Sequence, residues 1–326
     1  LMPEVFLTGG TGFIGGALLR RLVGEGREVR ALVRTVAAAD AIRAAGAEPV
    51  RGDLLDEESL VSGAAGCSTV FHVAGLNAAC LYRPAQLERV NVAGTTAVVR
   101  AAARAGTSRV IFTSSATTIG EEAGVVGTEA TPHRGTYLTV YERSKHLAEL
   151  AGQAEARRVE VPFVSVNPSS VQGPGRTGGT ARILIAYLRG RLRFAVDSPV
   201  SLVFIDDVVA VHLEAERQGV SGERYLVSGW ATSIREAVAL LTAVSGVERR
   251  VRYLPAWTLS AVATAAGGLW KALRRDAPLC REMVRALRHG HAYDASRIER
   301  EWGVRYTPPE QWLRTTVEWY RDQGIV

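Results

Sequence analysis

Close to its start the chain runs an apolar stretch, Val5, Phe6 and Leu7, through Thr8 into the turn Gly9-Gly10-Thr11-Gly12-Phe13-Ile14-Gly15. Residues 5–7 are β-formers without a polar break, which predicts a buried strand. Ala17, Leu18, Leu19, Leu22 and Val23 then recur at helical spacing, so the periodicity switches at the glycines. In such a turn Gly9 allows a sharp reversal, Gly12 lets the backbone approach a diphosphate, and Gly15 lets helix and strand pack closely. The free N–H groups at the helix start attract phosphate charge. A glycine-rich turn by itself needs no ligand. Here it falls between strand and helix, and a second β-pattern, Glu28-Val29-Arg30-Ala31-Leu32-Val33-Arg34, follows at the distance of a βαβ unit. The reading is a dinucleotide site at the head of the chain.

The alternation continues. Residues 37–45 predict a helix, 47–51 a strand ending at Gly52-Asp53-Leu54, 56–63 a helix, and 68–73 a strand closed by Ala74-Gly75. Residues 81–105 predict one long amphipathic helix, 109–113 a strand, 140–157 a helix and 161–166 a strand. Six strands separated by helices imply a parallel sheet, because parallel neighbours need crossovers. The predicted fold is α/β: a doubly wound Rossmann sheet over residues 1–172, with 203–230 returning to it. Residues 173–202 and 231–326 are expected to form a smaller, mostly helical substrate lobe over the carboxyl edge of the sheet, where ligands of open α/β sheets bind. The substrate pocket is expected from the loop after Gly75, the loop 121–137, the turn after Gly173 and the C-terminal helices.

With 47% hydrophobic residues in 326 the chain can bury a large core. The net charge of +6 is carried almost wholly by arginine, since Lys145 and Lys271 are the two lysines. The arginines are scattered instead of forming a basic arm, which argues against nucleic acid and leaves room for anionic ligands. Cys67, Cys80 and Cys280 are odd in number and lack metal-ligand spacing; reduced thiols, a cytoplasmic location and no metal site are expected. The strand pattern opens within the first few residues, so no signal peptide is expected. Residues 254–273 are apolar, but Pro255, Gly267 and Gly268 interrupt them. They are read as a buried helix or lobe wall, in preference to a peripheral membrane contact.

Tyr141-Glu142-Arg143-Ser144-Lys145 opens a predicted helix, so Tyr141 and Lys145 share a face. Tyrosine is a poor acid or base near neutrality because its pKa is about 10. A neighbouring ammonium favours the phenolate and brings the group towards working range. Upstream, Phe112-Thr113-Ser114-Ser115-Ala116-Thr117 ends a strand on the same carboxyl edge, where a hydroxyl could bind a reacting carbonyl, although serines there also simply make turns.

Glycine turn, strand-end serines and Tyr-x-x-x-Lys, in that order, resemble the extended short-chain dehydrogenase/reductase superfamily, of the epimerase/dehydratase kind. Thr8-Gly9-Gly10-Thr11-Gly12-Phe13-Ile14-Gly15 looks like its cofactor turn, Gly52-Asp53-Leu54 its adenine contact, Phe71-His72-Val73-Ala74-Gly75 its fourth-strand motif and Asn91-Val92-Ala93-Gly94-Thr95 its helix motif. Asn167-Pro168-Ser169-Ser170-Val171-Gln172-Gly173-Pro174-Gly175 resembles its loop beside the nicotinamide. The resemblance implies Tyr141 as proton donor and Lys145 as the group that holds the ribose and lowers the tyrosine pKa. It implies that Ser115 orients the substrate oxygen, with Ser114 as the alternative, and that His72 is structural. It further implies cofactor contacts from Gly9, Thr11, Gly12, Phe13, Ile14, Gly15, Asp53, Leu54, Ala74, Gly75, Asn91, Thr113, Tyr141, Lys145, Pro168 and Val171. A homodimer through the helices near 81–105 and 140–157 is implied as well.

Enzymes of this fold that use NAD carry an acidic residue at the end of the second strand. This chain has Leu32-Val33-Arg34-Thr35 there. Arg34 could pair with a 2′-phosphate, which favours NADP(H), or simply face solvent. The positions after Ser115 carry no acidic pair, which disfavours dehydration. The segment before Asp206-Asp207-Val208 carries no arginine to clamp a diphosphate, which disfavours sugar-nucleotide epimerases. The chain is thus most similar to the dihydroflavonol-reductase-like branch, implying reduction of a ketone or aldehyde, or oxidation of an alcohol, on a hydrophobic small molecule. Along 166–173 and Leu254-Pro255-x-Trp257 it also resembles bacterial hopanoid-associated sugar epimerases, so an epimerase remains the alternative. A non-catalytic dinucleotide-binding regulator is the third reading; such members usually lose the tyrosine or lysine.

Overall fold

The computed structural model describes residues 4–78, 80–81, 84–255, 257–259, 263, 270, 273 and 280–326. Strand and helix alternate as β1 (Val5–Thr8), α1 (Phe13–Gly24), β2 (Val29–Val33), α2 (Val36–Ala44), β3 (Glu48–Arg51), α3 (Glu57–Ala64), β4 (Thr69–His72), α4 (Ala85–Glu88), α5 (Gly94–Arg104) and β5 (Arg109–Thr113). Short β6 (Val126–Gly127) precedes α6 (Val140–Arg158), β7 (Phe163–Pro168), β8 (Ser170–Gln172), α7 (Ala181–Leu188), β9 (Phe194–Ala195), β10 (Pro199–Phe204), α8 (Ile205–Gln218) and β11 (Arg224–Val227). The C-terminal part adds β12 (Trp230–Ser233), α9 (Ile234–Ser245), β13 (Arg252–Tyr253), α10 (Arg281–His289), β14 (Ala292–Tyr293), α11 (Ser296–Trp302) and α12 (Pro309–Asp322).

A parallel sheet in the order β11-β7-β5-β4-β1-β2-β3 forms the centre of a Rossmann-type α/β fold. The strand order reverses between β1 and β4, which opens a crevice at their carboxyl ends. β1, β4 and β7 are buried at every position because helices cover both faces. β3 is exposed at both ends and half-buried between them, and it accommodates Pro49, as an edge strand can. On one face Leu18, Leu19 and Leu22 of α1 join Val208 and Val211 of α8; on the other Leu60, Val98, Ala102 and Ala148 pack beneath α3, α5 and α6.

The structure departs from the sequence reading in four places. The single helix expected over 81–105 begins at Ala85 and is opened at residues 89–93 by a wider π-turn. There the Asn91 side chain accepts the Leu76 N–H at 2.8 Å and donates to the Leu76 carbonyl at 3.1 Å, so the helix widens where this amide is anchored. The region after 232, expected to be mainly helical, also holds strands: β12 joins β10 and β8, β13 pairs with β9, and β14 with β6. Their partners lie far away in sequence, so no local periodicity announces them.

The expectation of three reduced cysteines is also corrected: Cys80 and Cys280 form a disulfide, and Cys67 is free and buried. The bridge ties the loop after β4 to the residue that precedes α10, and a sequence separation of 200 gave no spacing signal. The fourth departure, in the pocket wall, is described below. Residues 254–273, expected as a buried helix, lie mostly outside the described residues, and Trp257 is 70% exposed. Among the described residues no helix is long and apolar enough to cross a membrane.

Candidate active site

The first turn supplies a cradle. Gly9 has φ +80°, and a Cβ there would lie 2.7 Å from the Ala74 amide nitrogen. A Cβ on Gly15 would lie 2.1 Å from the Gly9 carbonyl oxygen, so strand and helix meet more closely than any side chain allows. Gly12 caps α1 without a side-chain hydrogen bond to the helix, leaving N–H donors of the first turn without an intrahelical acceptor. Thr8 Oγ1 accepts the Ala74 N–H at 3.2 Å and lies 2.8 Å from His72 Nδ1. His72 Nε2 lies 3.1 Å from Thr95 Oγ1, and burial, helped by Lys145, lowers the histidine pKa to about 3. His72 is therefore a neutral strut between β1, β4 and α5.

Thr139 caps α6, accepting the Glu142 N–H at 3.0 Å, an arrangement worth about 1 kcal/mol. The cap brings Tyr141 and Lys145 onto one face of the first two turns, under the end of β5. Lys145 Nζ donates to the Thr113 carbonyl at 2.7 Å and sits 4.4 Å from the Phe112 ring centroid. A Cβ on Gly75 would come within 3.8 Å of the same nitrogen. Burial lowers the lysine pKa to about 8 against the opposing pull of Glu149. Asn91 Nδ2 donates to Ser144 Oγ at 3.0 Å, locking α6 to the π-turn. The Thr113 hydroxyl is 2.8 Å from His212 Nε2, so its side chain is engaged with α8 and its carbonyl with the lysine.

The two strand-end serines have different surroundings. Ser114 Oγ donates to Glu149, a fully buried carboxylate that also takes bonds from Thr118 Oγ1 at 3.1 Å and Asn167 Nδ2 at 2.8 Å and pairs with Arg224 at 2.5 Å. Ser115 Oγ lies 3.0 Å from Thr117 Oγ1 and shares the cavity lining with Tyr141. Burial raises the Tyr141 pKa; the Ser115 hydroxyl and the Arg176 guanidinium pull it back down. Sequence reasoning missed Arg176, which follows the Gly173-Pro174-Gly175 turn. Its guanidinium carbon lies 5.3 Å from the Phe13 ring centroid, and its Nε is buried without a hydrogen-bond partner.

These groups line a cavity of about 390 Å³ whose walls include Phe13, Ile14, Asn77, Ser115, Tyr141, Pro168, Val171 and Arg176. Its lining also includes the apolar Ile183, Val200, Ile234, Met283 and Leu287, with Thr180, Ser198, Ser201, His291 and Tyr293 as polar members. The loop 121–137, expected in this wall, does not line the cavity. Its strand β6 pairs with β14 and so lies behind Tyr293, while 198–201, at the start of β10, takes the place in the wall. Arg34, Asp53 and Leu54 also lie outside the cavity, at the carboxyl ends of β2 and β3, with Thr11 exposed on the turn. Arg34 is exposed and has no carboxylate partner among the described residues; Asp53 Oδ1 accepts the Leu55 N–H at 3.0 Å, and Leu54 packs on Gly94.

The sequence model of the NAD dependent epimerase/dehydratase family matches residues 5–228. The chain is 31% identical over 325 residues to sterol demethylase protein B of Methylococcus capsulatus, covering 98% of this chain and 99% of that one. It is 32% identical over 307 residues to the 4-hydroxy-2-methyl-3-oxo-4-farnesyl-3,4-dihydroquinoline-1-oxide ketoreductase of Stigmatella aurantiaca, covering 92% and 91%. The crystal structure of gox2253 superposes with a TM-score of 0.86 at 26% identity, covering 99% of both chains.

Proposed function

We propose that this chain, which belongs to the NAD dependent epimerase/dehydratase family and is an oxidoreductase of the extended short-chain dehydrogenase/reductase type, is an NADP(H)-dependent reductase of a ketone or aldehyde on a hydrophobic small molecule. The observation that carries this reading is that Ser115 and Tyr141 line one largely apolar cavity together with Phe13 and Ile14 of the glycine turn, while Lys145, on the same face of α6 as Tyr141, is anchored to the Thr113 carbonyl at the end of β5. The relatives support it: one is named a ketoreductase of a farnesylated quinoline, another for sterol demethylation.

The cradle at Gly9 and Gly15 and the uncapped start of α1 fit a dinucleotide diphosphate, with Asn91, Ala74 and Gly75 flanking it and Lys145 within reach of a ribose. When bound, the reduced nicotinamide supplies a hydride to the carbonyl carbon. Ser115 and Tyr141 hydrogen-bond the carbonyl oxygen and fix its orientation. Tyr141 gives its proton to that oxygen as negative charge develops there, leaving a phenolate that Ser115 and Arg176 stabilise. The alcohol leaves, and a proton from solvent restores the phenol.

The exposed Arg34 guanidinium at the end of β2, with no acidic residue at the strand end to favour an unphosphorylated ribose, supports NADP(H). A charge-assisted hydrogen bond contributes about 1.5–3 kcal/mol, so Arg34→Asp should weaken NADPH binding by roughly 10–100-fold and, by placing a carboxylate at the strand end, strengthen NADH binding. Titration of both coenzymes into parent and variant checks this, and equal affinity of the parent for both would refute the preference.

The second reading is epimerisation of a sugar or nucleotide sugar, and Arg176 is the feature that favours it, as a guanidinium in the cavity able to meet a phosphate. The apolar side chains of the lining favour the reductase. For assembly, α5 and α6 pack side by side, with Leu150 45% exposed on α6, which supports a homodimer through these helices. Light scattering at micromolar concentration should give twice the chain mass; a monomer would contradict it.

A further inference from the structure

Outside the groups already assigned, a cluster of buried and half-buried polar side chains has no role in hydride transfer. Glu121, in the loop after β5, is 1% exposed, and its Oε1 lies 2.7 Å from His291 Nδ1 and 3.8 Å from His289 Nε2. The three ligand atoms all lie within 4.8 Å of one another. Glu121 Oε2 and His289 Nε2 are buried without a hydrogen-bond partner, and the side chains carrying them are 1% and 8% exposed.

The backbone is arranged to bring these groups together. His289 ends α10 and His291 precedes β14, and Gly290 between them has φ +68°. That left-handed turn lets both imidazoles face Glu121, and a Cβ on Gly290 would meet Pro199 Cδ at 2.6 Å. The pairing of β14 with β6 holds the far side of the cluster.

The nearby cation is Arg134, whose Nη1 donates to the Glu121 main-chain oxygen at 2.9 Å and whose Nη2 engages the Glu142 carboxylate, itself 2% exposed. One guanidinium thus faces two buried carboxylates. An uncompensated buried carboxylate is costly unless a cation joins it.

The geometry points to a divalent transition-metal site formed by Glu121, His289 and His291. Two imidazoles and one carboxylate suit a borderline ion of the zinc class, and three protein ligands leave a coordination position open. His291 and Tyr293 also line the substrate cavity, so one ligand of the ion borders it. The ion ties the post-β5 loop to α10, the helix that supplies Met283 and Leu287 to the wall.

The test uses full-length protein without a polyhistidine tag, stripped with chelator and titrated with Zn²⁺ by calorimetry, with metal content read by mass spectrometry after dialysis. One equivalent is expected to bind at micromolar concentration or below, and Co²⁺ should develop the visible bands of a low-coordinate site. His289→Ala and Glu121→Gln should each weaken Zn²⁺ binding at least about tenfold, as loss of a ligand does. NADPH binding serves as the fold check; His291→Gln replaces either variant that fails it. Failure of the parent to bind Zn²⁺, or binding unchanged in folded variants, would overturn the assignment. The reductase reading is untouched by either outcome.

Discussion

Tyr141→Phe is expected to bind NADPH as tightly as the parent and to turn over about 10²–10⁴-fold more slowly, the range for removing a positioned general acid. The substitution deletes one hydroxyl. The ring remains in a half-buried site at the start of α6, and the Thr139 cap is untouched, so the fold should hold. What is lost is the proton that the developing alkoxide needs. Stopped-flow single turnovers separate this loss from any change in cofactor affinity. Near-parental turnover would remove Tyr141 from the chemistry.

Lys145→Met should lower both cofactor affinity and turnover, each by roughly 10–100-fold, the equivalent of a lost charge-assisted hydrogen bond. Methionine fills the volume beside Phe112 but carries no charge for a ribose hydroxyl. The pKa supplies a second signature. In the ligand-free protein the ammonium loses its proton near pH 8, because burial opposes its charge more than Glu149 supports it. NADPH affinity of the parent should therefore decline as pH rises above about 8, and this limb should vanish in the methionine variant. The stability linkage has a definite sign as well. The folded pKa lies below the ordinary lysine value of 10.5, so between about 8 and 10.5 the unfolded chain binds more protons, and this group's contribution to stability rises with pH. A flat affinity profile in the parent would show that the lysine charge does not hold the cofactor.

The parts of this molecule that could be read from sequence are those written in local periodicity. β1, its glycine turn and α1 are adjacent in the chain, and the turn works through missing Cβ atoms, which a sequence displays directly. Tyr141 and Lys145 share a face because helical spacing requires it. What could not be read depends on partners distant in the chain. β14 pairs with β6, Cys80 with Cys280, and His291 meets Glu121, and nothing within a short window marks any of them. The resemblance singles out Ser115, with Ser114 as the alternative; that Glu149 engages Ser114 is again a contact between residues distant in the chain. Arg176 was hidden because a turn sequence does not say which way the next side chain points. His289-Gly290-His291 is a visible signal that only a three-dimensional partner makes meaningful.

Reductase and epimerase differ in where the hydride ends, and that is directly measurable. A reductase passes hydride from NADPH to a carbonyl carbon and releases oxidised cofactor, whereas an epimerase takes hydride from a carbinol and returns it to the opposite face. Ile183, Val200, Met283 and Leu287 line the same cavity as Ser115 and Tyr141, which suits a carbonyl on an apolar guest. Incubated with apolar ketones and aldehydes and NADPH deuterated at the transferable position, the protein should consume one NADPH per alcohol formed and place the deuterium on the new carbinol carbon. Inversion of a sugar nucleotide with no net change in cofactor, and no reduction of any carbonyl compound offered, would contradict it.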